Sequence, residues 1–591
     1  MGTAISLKDV SFKYLHADEH AISHVNLEIE EGTVTAIIGE TGAGKSTLLM
    51  TLNAIIPSII PGYLDGEIIV AGQNLHEKET AEMARHINMV FDDPVLQIVS
   101  LTVEEDIAFG PANLNLPREE IWDRVRAAQS VTRLQGYEKR NPRTMSGGEQ
   151  QLLAIAGVLA MRPKILVLDE PVAMLDPLGK AQVLSVVREL NSKYGTTVLI
   201  AESGTDIEAV CEFADQVVLM NQGHILAFGP VNSIYGMRHL IEEAKMKAPQ
   251  VTRLLWGLNG ADLPPKVPTT LVAAEEYLRA KLGPSLSASK VRRSSGPVPV
   301  AEPKAAKEPV IEIRNLHHVF SGNPPVHALN GIDLTINKGE MVALLGQNGS
   351  GKTTLSYHLV GVDKPTNKDA TIRVDGIDVV HGPLSETVRH INYLFQNPAN
   401  QLFCETFGQE VSFGPEKIGM SPQDAEQRAR ESLRAVGLED LWDHYSFGIS
   451  KAREALLSLA SVLSLDPQIF IADEPTGGLD SAAAEKVMEI LTDLNRKGRT
   501  IIVITHDMEL AARYTSRVVV LRKGEVLMDG TPEEVFGQTD VLASTQLYPP
   551  QITRLAQRLM DYGMPPNVLS VEELYAKLLP LMPQSAKSAA L

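Results

Sequence analysis

The sequence of 591 residues contains two copies of one pattern. GETGAGKST (39–47) returns as GQNGSGKTT (346–354), and ILVLDEP (165–171) returns as IFIADEP (469–475). From the lysine of the first motif to the aspartate of the second there are 124 positions in one copy and 121 in the other. Because order and spacing both repeat, we predict a tandem duplication of one folded unit rather than one large domain.

The repetition extends to the end of each copy. PQVTRLLWGL (249–258) is echoed by PQITRLAQRL (550–559), and each is followed by a Pro-Pro pair and a short helix-forming pattern. In the second pattern, Ser570 and Glu573 have the spacing of a capping box. Between the copies lies a segment rich in Pro, Ser and Ala that cannot bury enough apolar surface to fold. The predicted boundaries are 1–235 and 310–536 for the two domains, 236–284 and 537–585 for their C-terminal helical appendages, 285–309 for a flexible linker, and 586–591 for a tail.

The amino-acid composition indicates the compartment of the chain and limits the kinds of partner that it can bind. Two cysteines, Cys211 and Cys404, suit a reducing compartment. The N-terminus has no basic region followed by an apolar core, so we expect no signal peptide. No run approaches the roughly 18 apolar residues of a spanning helix, and any membrane role must therefore come through a partner. A formal net charge of −19 disfavours binding to nucleic acid over most of the surface.

The repeated glycine-rich motif matches GxxxxGK[ST], with an apolar strand pattern before it and a helix-forming segment after it. In this context glycines let backbone N–H groups approach phosphates, the lysine meets the β and γ oxygens, and the next hydroxyl ligates Mg²⁺. Two such P-loops predict two ATP sites. The residues predicted to bind nucleotide in them are Gly39, Glu40, Thr41, Gly42, Ala43, Gly44, Lys45, Ser46 and Thr47 in the first, and Gly346, Gln347, Asn348, Gly349, Ser350, Gly351, Lys352, Thr353 and Thr354 in the second.

An aspartate and a glutamate end the second repeated motif in each copy. In a P-loop fold the aspartate, Asp169 or Asp473, holds the Mg²⁺ shell, and the adjacent Glu170 or Glu474 orients or deprotonates the attacking water. The metal residues predicted on this basis are Ser46, Asp169, Thr353 and Asp473.

MSGGEQ (145–150) resembles the signature loop of ABC-type ATPases. The resemblance implies an α/β fold with two tandem P-loop NTPase domains, each with a RecA-like core, a small antiparallel β subdomain and a helical signature subdomain. It also implies head-to-tail pairing, so that each ATP lies between one unit's P-loop and the other unit's signature. Backbone N–H groups at a helix N-terminus suit that second contact with the γ-phosphate. The predicted signature residues are Ser146, Gly147, Gly148 and Glu149.

Further phrases narrow the resemblance. FQNPANQLF (395–403) and the FGP phrases IAFGPANL and VSFGPEKI are similar to those of energy-coupling factor transporter ATPases, the motors of vitamin and transition-metal importers. In that family an aromatic ring at the positions of Tyr14 and Phe320 stacks on adenine. Gln396 matches the glutamine that touches Mg²⁺ and the attacking water.

The two copies differ in three of these places. Asp92 stands where the second copy has Gln396, and either Ser203 or Thr205 stands where the second copy has His506, which in the family contacts the γ-phosphate. The third difference is ISKAR, in which Ser450 answers Ser146 but Lys451, Ala452 and Arg453 replace the Gly-Gly-Glu of the first signature. Their Cβ atoms obstruct the backbone's approach to a phosphate, although the two basic side chains still offer charge.

Under head-to-tail pairing all three departures fall in one composite site, formed by the first P-loop and ISKAR. We therefore expect one hydrolytic site and one that mainly holds nucleotide, because loss of one preorganised donor costs about 10²- to 10³-fold in rate. The predicted catalytic residues are Lys352, Gln396, Glu474 and His506.

The resulting expectation is an ATPase motor on the cytoplasmic face of the cell membrane, peripheral to it. Its expected partners are a transmembrane subunit and a substrate-binding membrane protein, and the two appendages are expected to pack on one another. One alternative is a soluble tandem ABC protein that acts on ribosomes or nucleic acid. A second alternative is a regulatory protein that binds ATP without turnover.

Overall fold

A computed structural model describes residues 2–173, 175–204, 206–260, 263–283, 308–322 and 325–582. These residues form two compact units, one ending at Leu278 and the other running from Arg279 to Met582. Thr205, nearly all of the predicted linker and the predicted tail lie outside the described residues. At the linker's predicted end, Pro309 already belongs to a strand.

A six-stranded sheet forms the centre of the first unit. Its apolar runs are buried on both faces, as expected for parallel strands covered on two sides. Only the edge pair formed by His224–Pro230 and Gln216–Asn221 is antiparallel among the described strands of this sheet. One side of the sheet buries Ile5, Leu48 and Val167, and the other buries Leu153 and Val186. The order across the sheet is His224–Pro230, Gln216–Asn221, Val34–Ile38, Thr197–Glu202, Ile165–Asp169 and Ile87–Val90.

A smaller antiparallel sheet packs beside it. Its second strand in sequence alternates buried and exposed residues, which is the pattern of a sheet with one face on the core. The order is Ile22–Glu30, Thr3–Tyr14, Gly62–Val70 and Gln73–Asn74. The α-helices of this unit are Lys45–Leu52, Ile55–Ser58, Thr80–Met83, Val103–Asn113, Arg118–Thr132, Gly147–Ala160, Pro177–Tyr194, Ile207–Phe213, Val231–Ile234, Arg238–Glu243, Gln250–Asn259 and Leu271–Leu282, the last of which crosses the boundary, and short 3₁₀ helices are Leu75–Glu77, Pro94–Leu96 and Pro142–Thr144.

The second unit repeats this topology strand for strand. Its central sheet has the order Ile391–Leu394, Ile469–Asp473, Thr500–Ile504, Met341–Leu345, Arg517–Arg522 and Glu525–Gly530, and its small sheet the order Val326–Asn337, Pro309–Phe320, Thr371–Val374 and Ile377–Asp378. The helices are Lys352–Leu359, Leu384–Thr387, Phe407–Lys417, Pro422–Val436, Lys451–Leu463, Ser481–Arg496, Met508–Tyr514, Pro532–Phe536, Thr539–Ala543, Gln551–Arg558 and Val571–Leu578, with 3₁₀ helices Pro398–Asn400, Glu439–Leu441, Met560–Tyr562 and Leu579–Leu581. The predicted fold class is confirmed.

Each appendage is joined to its domain by the same kind of contact. Trp256 Nε1 donates to the Tyr235 carbonyl at 2.9 Å, and Gln557 Nε2 donates to the Phe536 carbonyl at 3.3 Å. Ser570 caps the last appendage helix as predicted, by accepting from the Glu573 amide at 3.1 Å. None of the helices in the described ranges is both long and apolar enough to cross a membrane.

Candidate nucleotide sites

The first P-loop joins the strand Val34–Ile38 to the helix Lys45–Leu52, as predicted. Lys45 is buried, and its Nζ donates to the carbonyl oxygens of Gly39 and Glu40 at 2.8 and 3.0 Å. The loop therefore curls around the ammonium group, which is fixed where phosphate oxygens would meet it.

The second P-loop has the same geometry. It joins Met341–Leu345 to Lys352–Leu359, and Lys352 Nζ donates to Gly346 and Gln347 carbonyl oxygens at 2.7 and 3.0 Å. Both loops therefore have the geometry of a nucleotide-binding P-loop, although the residues around them differ between the two units.

Glycine is required at the last loop position. The φ angles of Gly44 and Gly351 are +97° and +103°, a region that L side chains rarely adopt. A Cβ there would lie 2.5 Å from the Ala21 carbonyl oxygen and 2.6 Å from that of Ala328. The motif's glycine therefore lets the small antiparallel sheet approach the P-loop closely.

The predicted metal residues come together in the second unit. Thr353 Oγ1 donates to Asp473 Oδ2 at 3.5 Å, and burial raises the pKa of that carboxyl to about 6. A hydroxyl and a carboxylate are hard oxygen donors that fit Mg²⁺, whose other ligands are typically phosphate and water. In the first unit, Ser46 holds the same helix position and Asp169 is buried at its strand end. The described residues contain no cluster of three or more His, Cys, Asp or Glu side chains that could hold a metal alone.

The glutamate after each of these aspartates has a different partner in the two units. His506 Nδ1 lies 2.8 Å from Glu474 Oε1. In the first unit, Ser203 Oγ donates to Glu170 Oε1 and accepts from Lys45 Nζ at 3.3 Å. Burial is the largest cause of the raised pKa of Glu170.

Strand register settles which residue replaces the histidine. In each unit the amide of the glutamate donates to the carbonyl of an equivalent residue on the next strand, Ala201 at 3.1 Å and Ile504 at 2.8 Å. Ser203 and His506 each follow two positions later. Of the two candidates Ser203 and Thr205, Ser203 therefore takes the histidine's place, and Thr205 lies outside the described residues.

The first unit also buries an acid that the sequence analysis overlooked. Glu202 is fully buried where the second unit has Thr505. Its pKa is raised well above the ordinary value, first by burial and then by the charges of Glu170 and Asp206. Lys180 Nζ lies 2.5 Å from Asp206 Oδ1 and lowers that pKa in part. The sequence signal for this buried acid was AES (201–203) in the first unit where the second has ITH (504–506), because a carboxylate is rarely found in a buried strand.

The first signature loop begins a helix. Ser146 is the N-cap of Gly147–Ala160 and forms a capping box with Glu149, at 2.8 and 3.3 Å. A Cβ at Gly147 or Gly148 would meet its nearest atom at 4.0 or 3.5 Å, an ordinary contact distance. Packing within the unit therefore does not require these glycines, which favours a role in letting a ligand approach the backbone.

The second signature position has the same helix without the glycines. Ser450 is the N-cap of Lys451–Leu463 and accepts from the Arg453 amide at 3.4 Å, which confirms that it is placed like Ser146. Lys451 and Arg453 are exposed in the first turn, where the helix dipole disfavours cations.

The two aromatic residues predicted to stack on adenine differ in setting. Tyr14 ends its strand, shares a hydrogen bond of 2.8 Å with Thr47 Oγ1, and packs edge-on against Phe12. Phe320 ends the equivalent strand, is 45% exposed, and packs edge-on against His318. Phe320 thus presents an open ring, whereas the Tyr14 ring is tied to the P-loop helix.

Gln396 and Asp92 lie exposed in loops that follow the edge strands Ile391–Leu394 and Ile87–Val90. Gln396 is outside the hydrogen-bonded group of Thr353 and Asp473. Its predicted contact with Mg²⁺ stays a prediction.

Two further contacts were missed by sequence reasoning. In the first, Tyr393 donates a hydrogen bond to Asp473 Oδ2. The first unit has a methionine in place of this tyrosine, and the difference between INYLF and INMVF was the available sequence signal.

The second missed contact joins each P-loop to its own appendage. Lys245 Nζ lies 3.3 Å from Glu40 Oε2, and Gln347 Nε2 donates to Gln546 Oε1 at 2.7 Å. Lys245 and Gln546 also share a left-handed backbone, with φ of +51° and +55°. No local signal points to this contact, because its partners are about 200 residues apart.

Comparison with known proteins gives matches over both units. The family model described as ABC transporter matches residues 22–173 and 329–477. A candidate ABC transporter ATP-binding protein of Caldanaerobacter subterraneus subsp. tengcongensis is 37% identical over 575 residues, covering 96% of this chain and 98% of that protein. A similarly named protein of Methanosarcina acetivorans is 36% identical over 591 residues, covering 98% and 94%.

Two solved structures are also similar to parts of the chain. CbiO1 of Clostridium perfringens, described as part of the ABC transporter complex cbiONQ, is 31% identical and covers 42% of this chain and 100% of its own, with a TM-score of 0.37. A dimeric ATP-binding cassette in a post-hydrolysis state with ADP and Pi is 29% identical and covers 37% and 98%, with a TM-score of 0.35. The family match and the full-length relatives carry the conclusion: the chain belongs to the ABC transporter family, as an ATPase with two ATP-binding cassettes in one polypeptide.

Proposed function

We propose that this ATPase is the motor of an energy-coupling factor type importer of a vitamin or a transition metal. It would lie on the cytoplasmic face of the cell membrane and drive a transmembrane subunit and, through it, a substrate-binding membrane protein. The FQNPANQLF and FGP phrases support this subfamily, and the net charge of −19 speaks against nucleic acid as the partner.

Exposed apolar side chains near the Asp92 and Gln396 loops support docking of a membrane partner. Leu96 and Leu101 are 78% and 77% exposed, and Phe403 is 59% exposed. Leu96 and Leu101 are five positions apart in the first unit, and apolar side chains exposed close together on a surface commonly mark a protein interface. We place the coupling helices of the transmembrane subunit there.

We also propose the family's head-to-tail pairing, with hydrolysis where the second P-loop meets the Ser146–Glu149 loop. The observation that carries this assignment is the contrast between His506 beside Glu474 and Ser203 beside Glu170. ATP bound by both P-loops would close the pair, and hydrolysis at the second would reopen it.

The residues of the second site divide the chemistry. Lys352 meets the β and γ oxygens, and the Thr353 hydroxyl and the Asp473 carboxylate would hold Mg²⁺, which neutralises phosphate charge when bound. Glu474 orients the attacking water and accepts its proton, while His506 holds that carboxylate in place and contacts the γ-phosphate.

Paired substitutions test the assignment. Glu474→Gln is expected to abolish steady-state ATPase activity, measured as phosphate release, whereas Glu170→Gln changes it little. The two substitutions are matched because both residues follow a strand-end aspartate with nearly equal φ angles of +46° and +47°. Comparable losses from both would contradict an asymmetric pair.

Purification from detergent-solubilised membranes tests the partner. The tagged chain is expected to recover integral membrane proteins, and mass spectrometry would identify them. Recovery of ribosomes without any integral membrane protein would instead support the soluble alternative and overturn the importer proposal.

A further inference from the structure

Tyr393 lies at the metal position of the second unit, although the proposed mechanism does not use it. It is largely buried, and its hydroxyl donates to Asp473 Oδ2. The same oxygen accepts from Thr353 Oγ1 at 3.5 Å. One carboxylate oxygen therefore accepts hydrogen bonds from the Tyr393 hydroxyl and from the Thr353 hydroxyl, which would ligate Mg²⁺.

Two further aromatic rings hold the tyrosine in place. The ring of Tyr357, on the P-loop helix, packs against Tyr393 with centroids 5.6 Å apart, and the ring of Phe395 packs against it at 5.0 Å. Both contacts are edge-to-face, a favourable geometry for aromatic pairs. Since Phe395 precedes Gln396, the chain of rings runs from the P-loop helix to the glutamine loop.

The first unit has a different residue at this place. Tyr393 pairs with Ile471 across the strands, and Met89 pairs with Val167 at the same register. A thioether cannot donate a hydrogen bond. Like His506 and Gln396, Tyr393 is therefore present in the second unit and replaced by another residue in the first.

We propose that Tyr393 is a positioning residue for the metal site of the second unit. By holding Oδ2, its hydroxyl fixes the rotation of the Asp473 carboxylate and presents it to Mg²⁺ in one orientation. Partners that orient a metal ligand typically contribute about 10- to 100-fold in metal affinity. This inference rests on the proposal that the second P-loop is the hydrolytic site.

The test measures metal binding without turnover. In a Lys45→Ala background, which disables the first P-loop, Mn²⁺ is titrated by electron paramagnetic resonance with a non-hydrolysable ATP analogue present. Tyr393→Phe removes only the hydroxyl and keeps the ring, and it is expected to weaken Mn²⁺ binding at least tenfold. Tyr357→Phe is the matched control, since it removes a neighbouring hydroxyl but keeps the bond to Asp473, and should stay within twofold.

Binding of the same analogue in EDTA separates positioning from general damage. Tyr393→Phe should leave this metal-free affinity within twofold. Unchanged Mn²⁺ affinity, or equal losses with and without metal, would overturn the proposal. Equal ATPase losses from Glu474→Gln and Glu170→Gln would instead contradict only the assignment of the hydrolytic site, so the two failures are distinguishable.

Discussion

Ser203 Oγ bridges Glu170 Oε1 and Lys45 Nζ, whereas His506 Nδ1 lies against Glu474 Oε1 at the equivalent position of the second unit. The bridge brings Lys45 Nζ to 4.0 Å from Glu170 Oε1. In the first unit the glutamate is thus engaged with the lysine that should meet phosphate, and Lys45 partly offsets the rise that burial causes in the pKa of Glu170.

Exchange of the histidine and serine tests this relationship. His506→Ser is expected to lower ATP turnover about 10²- to 10³-fold, because the preorganised ring that holds Glu474 and contacts the γ-phosphate in the proposed site is lost. Ser203→His alone should not raise turnover measurably, since the first unit still has Asp92 and, in the proposed pairing, its P-loop is completed by ISKAR. Turnover of His506→Ser within threefold of the parent would contradict the role of the imidazole.

Steric block of the signature loops tests which of them meets the hydrolysed nucleotide. Ser146→Arg is expected to lower turnover more than about 100-fold, because in the proposed pairing a bulky side chain replaces the hydroxyl that meets the phosphate. Ser450→Arg should lower it less than threefold. Both substitutions remove an N-cap, at a cost of about 1 kcal/mol each, so thermal unfolding should shift equally and serves as the control.

Restoring glycines in ISKAR is not expected to speed ATP hydrolysis at the first P-loop. In a Glu474→Gln background, turnover by Lys451→Gly with Ala452→Gly is expected to stay at the background level, because that site still has Asp92 and Ser203. The measurement is phosphate release over hours. Recovery of a tenth or more of the parent rate would show that the signature loop alone had limited the site.

Acidification should weaken metal binding at the second P-loop. The pKa of Asp473 is raised to about 6, chiefly by burial, so the carboxylate is ionised above pH 6 and increasingly protonated below it. Mg²⁺ must then displace a proton, and its apparent affinity should fall toward tenfold per pH unit between pH 6 and pH 5. Asp473→Asn reports the contribution of nucleotide titration alone; equal pH slopes for parent and variant would contradict the prediction.

Much of the fold follows from the sequence because local patterns repeat in both copies. The buried strands ending at Asp169 and Asp473, the P-loop helices starting at Lys45 and Lys352, and the Ser146 helix start each combine an apolar period with a cap or turn residue. These elements occur as predicted.

The remaining site contacts depend on long-range geometry. Whether Ser203 or Thr205 replaces His506 was open because the first unit has extra residues after the strand, and only pairing with the neighbouring strands sets the register. The Tyr393 bond to Asp473 joins residues 80 positions apart on adjacent strands. The raised pKa of the buried Glu202 depends in part on the charges of Glu170 and Asp206, which lie outside its strand.

The contact between P-loop and appendage exists in an ionic form, Glu40 with Lys245, and in a neutral form, Gln347 with Gln546. Exposed ion pairs are screened as salt rises, whereas neutral amide pairs are largely insensitive to it. The two copies therefore have equivalent contacts that respond differently to salt concentration. Rising salt therefore weakens the Glu40–Lys245 contact of the first unit and leaves the Gln347–Gln546 contact of the second nearly unchanged.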